Sequence, residues 1–231
     1  MRILIKISGE ALSNKSRDNY DFEYLRKIGQ ESFELKKHHE IAVVCWGGNI
    51  CRGAEFAKNG ISPTVGHEVG MLATTMNALM LADIIEKIWQ ETVVFTARDL
   101  SGIGQIFDAK TAKRKLSQGT IVFLSGGTGH PYFSTDTASV LRSLELSCDM
   151  MIKLTSVDGI YSADPKKDTT AVKFPSVTYD DVLAKNLRIM DQASIALARD
   201  HDFKIGVCHI DTLPSLSTLS KGMFSGSIIQ K

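Results

Sequence analysis

Short apolar runs alternate with segments of helical spacing along the whole chain, and this pattern leaves few possible folds. The apolar runs are Arg2–Ile7, Ile41–Trp46, Thr92–Thr96, Thr120–Leu124, Met150–Leu154, Ile205–Ile210 and Ser227–Gln230. Most of them are continuous rather than alternating, which is typical of strands covered on both faces. The predicted helices are Phe22–Lys37, about Val65–Trp89, Thr135–Leu146, Tyr179–Lys185 and Gln192–Asp200. The pattern predicts an α/β fold with a mostly parallel sheet and helices on both of its faces.

The composition is that of an ordinary folded protein. The chain has 231 residues, 43% of them hydrophobic and 23% charged, and a formal net charge of +1. This length suits one large α/β domain, so we expect residues 1–231 to form a single domain. A near-neutral chain is poorly suited to coating nucleic acid or an acidic membrane. We find no secretory signal and no membrane-spanning run of about 18 apolar residues, so we expect a cytoplasmic protein.

The cysteines and histidines do not form a metal-binding pattern. The four cysteines, Cys45, Cys51, Cys148 and Cys208, include no Cys-x-x-Cys pair, and the six histidines lack ligand spacing. We therefore expect reduced, partly buried thiols and no protein-held metal. The only dense basic cluster, Lys110 to Lys115, is expected to be a solvated helix face.

Glycine-containing turns follow three of the predicted strands, at Ile7-Ser8-Gly9, Gly47-Gly48 and Ser125–Gly129. One such turn is weak evidence, because glycines often close ordinary turns. Three at the carboxyl ends of strands in one sheet favour a phosphate-rich ligand, because glycine lets backbone N–H groups approach it closely. A Walker A loop and a complete Gly-x-Gly-x-x-Gly helix start are both absent from the sequence. The cations near the turns are Lys6 and Arg52, which suit phosphoryl oxygens.

Longer motifs with consistent spacing resemble the bacterial uridylate (UMP) kinases. They are Ile5-Lys6-Ile7-Ser8-Gly9-Glu10-Ala11, Gly47-Gly48-Asn49-Ile50-Cys51-Arg52-Gly53, Gly70-Met71-Leu72-Ala73-Thr74, Gly127-Thr128-Gly129 with Thr135-Asp136, and Lys153 to Pro165. Met190-Asp191 and Ala198-Arg199-Asp200-His201 also match. The resemblance implies an amino-acid-kinase-type fold, a three-layer α/β/α sandwich that transfers the γ-phosphoryl group of MgATP to UMP.

The resemblance also implies roles for individual residues. Those implied for ATP binding are Lys6, Ile7, Ser8, Gly9, Gly48, Arg52, Thr155, Tyr161 and Asp164. Those implied for UMP binding are Gly47, His67, Thr128, Gly129, His130, Pro131, Tyr132, Phe133, Ser134 and Thr135. The implied catalytic residues are Lys6, Arg52, Asp136, Lys153 and Asp191, with the carboxylates orienting lysines or reaching magnesium.

The chain departs from the family pattern at His67, where an aspartate is usual, at His130, where asparagine is usual, and at Trp46, where glycine is usual. We expect the Trp46 ring to pack inward. Two alternatives share the fold: a carboxylate or carbamate kinase, and a non-catalytic nucleotide-storage protein. The resemblance further implies a homohexamer and a response to GTP or UTP. The Met-rich helix at about Val65–Trp89 suits either core packing or a self-association face.

Overall fold

A nine-stranded sheet forms the centre of the molecule. The structure, a computed structural model, describes residues 1–8, 20–51, 53–88, 91–185, 187 and 189–231. The strands are β1 (Arg2–Ile7), β2 (Glu40–Cys45), β3 (Thr92–Thr96), β4 (Gln105–Ile106), β5 (Ile121–Ser125), β6 (Met150–Thr155), β7 (Ile160–Tyr161), β8 (Lys173–Phe174), β9 (Ser176–Thr178), β10 (Ile205–His209) and β11 (Ser227–Gln230). The order in the large sheet is β4-β3-β5-β2-β1-β6-β10-β11-β9, and β7 and β8 form a separate two-stranded sheet.

Parallel pairing dominates the large sheet and brings the ends of the central strands together. Within it only β10 and β11 pair antiparallel among the described strands. In the β1–β6 register, Lys6 lies beside Lys153. Strands β5, β2, β1 and β6 are neighbours that run in one direction, so the segments after them meet at one edge of the sheet.

Helices cover both faces of the sheet. They are α1 (Phe22–Lys36), α2 (Gly53–Phe56), α3 (Pro63–Glu86), α4 (Ala109–Ser117), α5 (Thr135–Glu145), α6 (Tyr179–Ala184) and α7 (Gln192–Asp200), with 3-10 helices at Ala57–Asn59 and Ile210–Lys221. One core joins α1, α3 and the second 3-10 helix to the sheet. The other core joins α4, α5, α6 and α7 to the opposite face. The predicted three-layer α/β/α sandwich is therefore confirmed.

Alternating side chains on the central strands supply both cores. On β1, Ile3, Ile5 and Ile7 face the first core, whereas Leu4 faces the second. Strand side chains point to opposite faces in turn, so a strand covered by helices on both sides is apolar at almost every position. Lys6 lies at a position where a large apolar residue would otherwise be expected, and it is only 4% exposed. A buried ammonium in a central strand requires an anionic partner.

Side-chain caps set the starts of two helices that matter for the site. Helix α3 begins with Ser62 accepting a hydrogen bond from the backbone N–H of Val65, and Pro63 occupies its first turn. Helix α5 begins with Ser134 accepting from the N–H groups of Asp136 and Thr137. Such caps satisfy N–H groups that the first helical turn leaves free. The cap on α5 places Asp136 in the first turn, close to the ends of β1 and β6.

Two further expectations are confirmed. All four cysteines are free thiols, and Cys45, Cys148 and Cys208 are buried. The basic cluster lies on α4, which buries only Ala112 and Leu116 and leaves its lysines and arginine exposed or half-buried.

Helix α3 is long and apolar enough to cross a membrane by length and composition alone, with 44% of its apolar window buried inside the protein. Core helices pass the same test, so this property is weak evidence for a span.

Candidate active site

Two lysines share one carboxylate at the carboxyl edge of the sheet. The Lys153 Nζ lies 2.8 Å from Asp136 Oδ2, and the Lys6 Nζ lies 3.1 Å from Asp136 Oδ1. Lys153 also donates to the Ile189 carbonyl at 2.5 Å. The side chains of Lys6, Lys153 and Asp136 are 6%, 13% and 14% exposed, respectively. With both lysines protonated the group carries one net positive charge in a largely buried setting, which favours binding of an anion.

Burial and the neighbouring charges act in opposite directions on this group. Burial by itself would raise the pKa of Asp136, but the Lys6 and Lys153 ammoniums hold that pKa below its usual value. Burial lowers the pKa of Lys153, and the nearby Asp136 carboxylate opposes this shift only in part. Asp136 is therefore an ionised partner of the lysines at neutral pH rather than a proton acceptor.

A cavity of about 620 Å³ opens onto this group. Of the predicted site residues, the cavity brings together Lys6, Ser8, Gly47, His67, Tyr132, Phe133, Ser134, Thr135, Asp136 and Lys153. Its wall includes the first turn of α5, whose N-terminus adds a partial positive charge to that of the lysines. The volume is within the range of small-molecule sites. The cavity therefore combines a cationic end with room for an anionic organic molecule.

The Gly47-Gly48 turn fits tightly under α3 and beside Trp46. A Cβ atom on Gly47 would lie 2.6 Å from the Ala73 Cβ, so no larger residue fits there without a shift of α3. Asn77, fully buried in α3, donates to the Trp46 carbonyl at 2.6 Å and to Asn49 Oδ1 at 2.7 Å. A satisfied buried amide of this kind holds a loop in one conformation. Asn77 therefore anchors the turn to α3.

Two aromatic side chains in the cavity wall contact each other. The rings of His67 and Tyr132 lie 4.9 Å apart, and Tyr132 Oη and Thr64 Oγ1 form a hydrogen bond of 3.0 Å. Tyr132 has a φ of 72°, which is uncommon for a residue other than glycine. The ring contact and the hydrogen bond join α3 to the loop before α5 beside the cavity.

Other predicted UMP-binding residues build that loop rather than line the cavity. Thr128 Oγ1 accepts from the His130 N–H at 3.2 Å, and the Gly129 carbonyl accepts from the Arg98 guanidinium at 2.6 Å. Gly129 has a φ of 85°, a conformation that favours glycine. Pro131 follows in the same loop and is likewise not among the residues that line the cavity.

Asp191 lies beside the lysine pair but its carboxylate is already occupied. It accepts from Thr137 Oγ1 at 2.8 Å, from the Ser194 N–H at 3.0 Å and from the Ser134 hydroxyl. It lines a neighbouring cavity of about 330 Å³, together with Asp136. This geometry favours a positioning role, in which Asp191 caps α7 and ties it to the N-terminus of α5.

The residues predicted for the ATP nucleoside lie around the end of β6, outside the lining of the large cavity. Thr155 Oγ1 accepts from the Val157 N–H at 2.9 Å, and Tyr161 donates to Asp158 at 2.7 Å. The Asp158 carboxylate raises the pKa of Tyr161 through this hydrogen bond. Asp164 accepts from the Lys166 N–H at 3.0 Å.

Two further residues predicted for ATP binding also lie outside the lining of the cavity. Ile7 is buried in the core, and Gly48 lies under the Trp46 ring; neither residue is among those that line the cavity. Gly9 and Arg52 lie outside the described residues.

The sequence analysis missed residues that hold the site in shape. Asn77 and Thr74 lie on α3, and Thr74 Oγ1 accepts from the Gly126 N–H at 2.8 Å, which anchors the turn after β5. The sequence signal that could have identified them is the presence of polar residues in an otherwise apolar helix. Trp46, which was expected to pack inward, is half-buried: its ring packs on Gly48 and lies near the Lys6 ammonium, and the residue is among those that line the cavity.

The carboxylates of the described site do not form a magnesium cage. Within the parts of the chain that the structure describes, no group of three or more His, Cys, Asp or Glu side chains is placed to hold a metal ion. The Asp136 oxygens face lysines, and the Asp191 oxygens accept hydrogen bonds. Magnesium is often held mainly by substrate phosphates with few protein carboxylates. The donor set fits a nucleotide-borne ion better than a protein-held one.

Comparisons with known proteins agree with the fold. The sequence model of the amino acid kinase family matches residues 1–209. A uridylate kinase of Sulfurovum sp. (strain NBC37-1) is 41% identical over 226 residues, which cover 97% of this chain and 96% of that protein. A uridylate kinase of Hydrogenovibrio crunogenus is 39% identical over 229 residues, 99% of this chain and 97% of that protein.

Solved structures give the same result. The UMP kinase of Bacillus anthracis has a TM-score of 0.94 at 31% identity and covers 99% of this chain and 95% of that chain. The UMP kinase of Ureaplasma parvum has a TM-score of 0.93 at 26% identity and covers 100% of this chain and 98% of that chain. The chain therefore belongs to the amino acid kinase family, and within that family to the uridylate kinases.

Proposed function

We propose that this protein transfers the γ-phosphoryl group of ATP to UMP and releases UDP and ADP. The observation that carries the proposal is the Lys6–Asp136–Lys153 group, which presents two ammoniums to one cavity at the carboxyl edge of the sheet. The full-length similarity to uridylate kinases supports the choice of UMP as the acceptor.

The reaction needs charge neutralisation more than proton removal. The second pKa of a phosphate monoester is about 6, so the UMP phosphate is largely dianionic at neutral pH and is already a nucleophile. A UMP phosphate oxygen forms a bond to the γ-phosphorus while the bond from that phosphorus to the β–γ bridging oxygen breaks. The electron pair leaves with ADP. The cavity accordingly needs cations and N–H donors that hold two repelling phosphate groups in line.

The described residues can supply these functions. Lys6 and Lys153 would neutralise the phosphoryl oxygens, and the N-terminus of α5 would add N–H donors and partial positive charge. Asp136 would keep both ammoniums aimed at the cavity. Arg52 remains a predicted phosphate ligand. When bound with ATP, magnesium supplies further neutralisation, and we propose that the nucleotide phosphates hold most of it.

The acceptor and donor occupy different sides of the lysine pair in this proposal. UMP would occupy the part of the cavity lined by His67 and Tyr132, together with Gly47, Phe133, Ser134 and Thr135. ATP would extend from Lys6 and Ser8 toward the end of β6, where Thr155, Tyr161 and Asp164 are predicted to hold its nucleoside. Thr128, Gly129 and His130 would act by shaping the acceptor loop.

The proposal includes the wider organisation of the protein. One continuous large sheet from β1 to β11 supports a single domain. The face of α3 that carries Val65, Val69, Leu72, Met76 and Leu79 is 37% to 50% exposed, which supports self-association, with a homohexamer as the predicted state. Free thiols and nucleotide substrates agree with a cytoplasmic location. A response to GTP or UTP stays a prediction from the family resemblance.

An acceptor-dependence assay tests the proposed function. ADP release would be measured with ATP and, in turn, UMP, CMP, acetylglutamate, aspartate and carbamate. We expect UMP to give the highest kcat/KM. A carboxylate or carbamate as the best acceptor would replace the proposal with another kinase of the same fold. Tight nucleotide binding without any acceptor-dependent ADP release would indicate a storage protein.

A further inference from the structure

The Trp46 ring packs on the glycine turn and lies near the Lys6 ammonium. The Lys6 Nζ is 5.8 Å from the ring centroid, within the range of a cation–π contact. A Cβ atom built on Gly48 would lie 2.6 Å from two carbons of the same ring, so the indole packs directly on the turn backbone. Trp46 is also among the residues that line the large cavity, together with Lys6 and Ser8.

Hydrogen bonds fix the backbone of Trp46 from two sides. Its N–H donates to the Ile7 carbonyl at 3.0 Å, and its carbonyl accepts from Asn77 at 2.6 Å. The ring therefore has little freedom to leave the ammonium through backbone motion. Lys6 thus contacts the Asp136 carboxylate and an aromatic ring in place of bulk water.

We propose that Trp46 is a positioning residue that acts through Lys6. The face of the indole stabilises the ammonium near the cavity and limits the orientations that the lysine can take when phosphates arrive. This inference rests on the proposed function, since it assigns Lys6 to the transferring phosphates. Trp46 itself does not touch the reacting atoms in this proposal, so its loss lowers kcat and changes the KM for UMP and ATP little.

Replacement by Phe and by Leu separates the aromatic face from apolar bulk. Trp46→Phe keeps a π-face beside Lys6, whereas Trp46→Leu keeps only hydrophobic volume. A cation–π contact near its distance limit predicts a fall in kcat of about fivefold for Trp46→Leu and about twofold or less for Trp46→Phe. Phe22→Leu, which alters an exposed aromatic residue of α1, is the matched control and leaves kcat unchanged.

A double-mutant cycle with Lys6→Ala tests whether the effect passes through the lysine. In the Lys6→Ala background, Trp46→Leu should produce no further fall in single-turnover rate, because the partner of the ring is gone. An equal fall with and without Lys6 would overturn the proposal. So would equal values for the Phe and Leu variants, or a rise in KM at constant kcat, which would make Trp46 a ligand contact.

A spectroscopic readout keeps this test separate from the proposed function. The chain has two tryptophans, so Trp89→Phe leaves Trp46 as the only one. In that ligand-free protein, Lys6→Met should change the intensity or wavelength of Trp46 emission, because a charge beside the indole disappears. Unchanged emission would refute the ring–ammonium contact, whatever reaction the protein catalyses. If emission changes but UMP is not an acceptor, the contact stands while the kinetic role and the proposed function fail together. Circular dichroism and the melting temperature of each variant verify folding.

Discussion

The substitution Asp136→Asn should destabilise the free protein, because it removes the only carboxylate in contact with both site lysines among the described residues. The change is nearly isosteric, so packing around the N-terminus of α5 is kept. With protonated lysines, the net charge of the three-residue group rises from +1 to +2. Two ammoniums then face each other in a largely buried setting without an anion to separate them.

The magnitude follows from the cost of breaking a buried ion pair. Removing one partner of such a pair costs about 3 to 5 kcal/mol, because the remaining charge is uncompensated. For a protein of this size, 1 kcal/mol corresponds to about 2 to 4 °C in Tm, so the expected fall is roughly 6 to 20 °C. The exposed Glu34–Lys37 pair provides the control, and Glu34→Gln should cost less than about 1 kcal/mol.

Thermal unfolding of the ligand-free protein, followed by circular dichroism, measures this difference. Inorganic phosphate should raise the Tm of Asp136→Asn more than that of the unmodified protein, because the variant site carries more positive charge. A Tm within about 2 °C of the unmodified protein, with no greater response to phosphate, would refute the reasoning. That result would mean that the lysine charges are not compensated by Asp136.

Three further predictions concern pH, turnover and assembly. The folded-state pKa of Asp136 is lowered, so its contribution to the free energy of unfolding is present above the unfolded pKa of about 3.9 and is lost as pH falls through the folded pKa. The stability difference between the protein and Asp136→Asn should therefore shrink in acid titrations, and a constant difference would contradict the ion-pair account. Lys6→Ala and Arg52→Ala should each lower kcat more than about tenfold with little change in circular dichroism, and unchanged turnover would remove them from the reaction. Leu72→Asp should shift sedimentation toward smaller species if the exposed α3 face holds subunits together, whereas Ile103→Asp, an equally exposed site off that helix, should not.

The main strands and helices could be predicted from the sequence because burial leaves a direct pattern. Each of the seven predicted strands has a counterpart in the sheet with bounds within about one residue, since strands covered on both faces are apolar throughout. The helices α1, α3, α5, α6 and α7 were predicted because their buried residues recur at a spacing of three or four.

The elements that were missed are short or lack a clear period. β4 and the β7–β8 pair have two residues in each strand, too few to show alternation, and β9 has three. The 3-10 helix Ile210–Lys221 buries Leu213, Leu216 and Leu219 at a three-residue spacing that resembles an α-helical step. Tertiary packing rather than local sequence determines these segments.

The general position of the site could also be predicted, because glycine turns after parallel strands mark the edge where ligands bind. The side-chain arrangement could not. The sequence does not show that both lysines share Asp136, that hydroxyl and N–H groups occupy the Asp191 carboxylate, or that the Trp46 ring lies near Lys6. These features depend on contacts between residues far apart in the chain.

A crystal structure of the protein with UMP and a non-hydrolysable ATP analogue measures the central interaction directly. We predict that the Lys6 ammonium lies within about 3.2 Å of a phosphate oxygen, with the UMP phosphate and the γ-phosphate of the analogue facing each other in the large cavity. Phosphates bound away from Lys6 and Lys153, with both ammoniums turned only toward Asp136, would contradict this account.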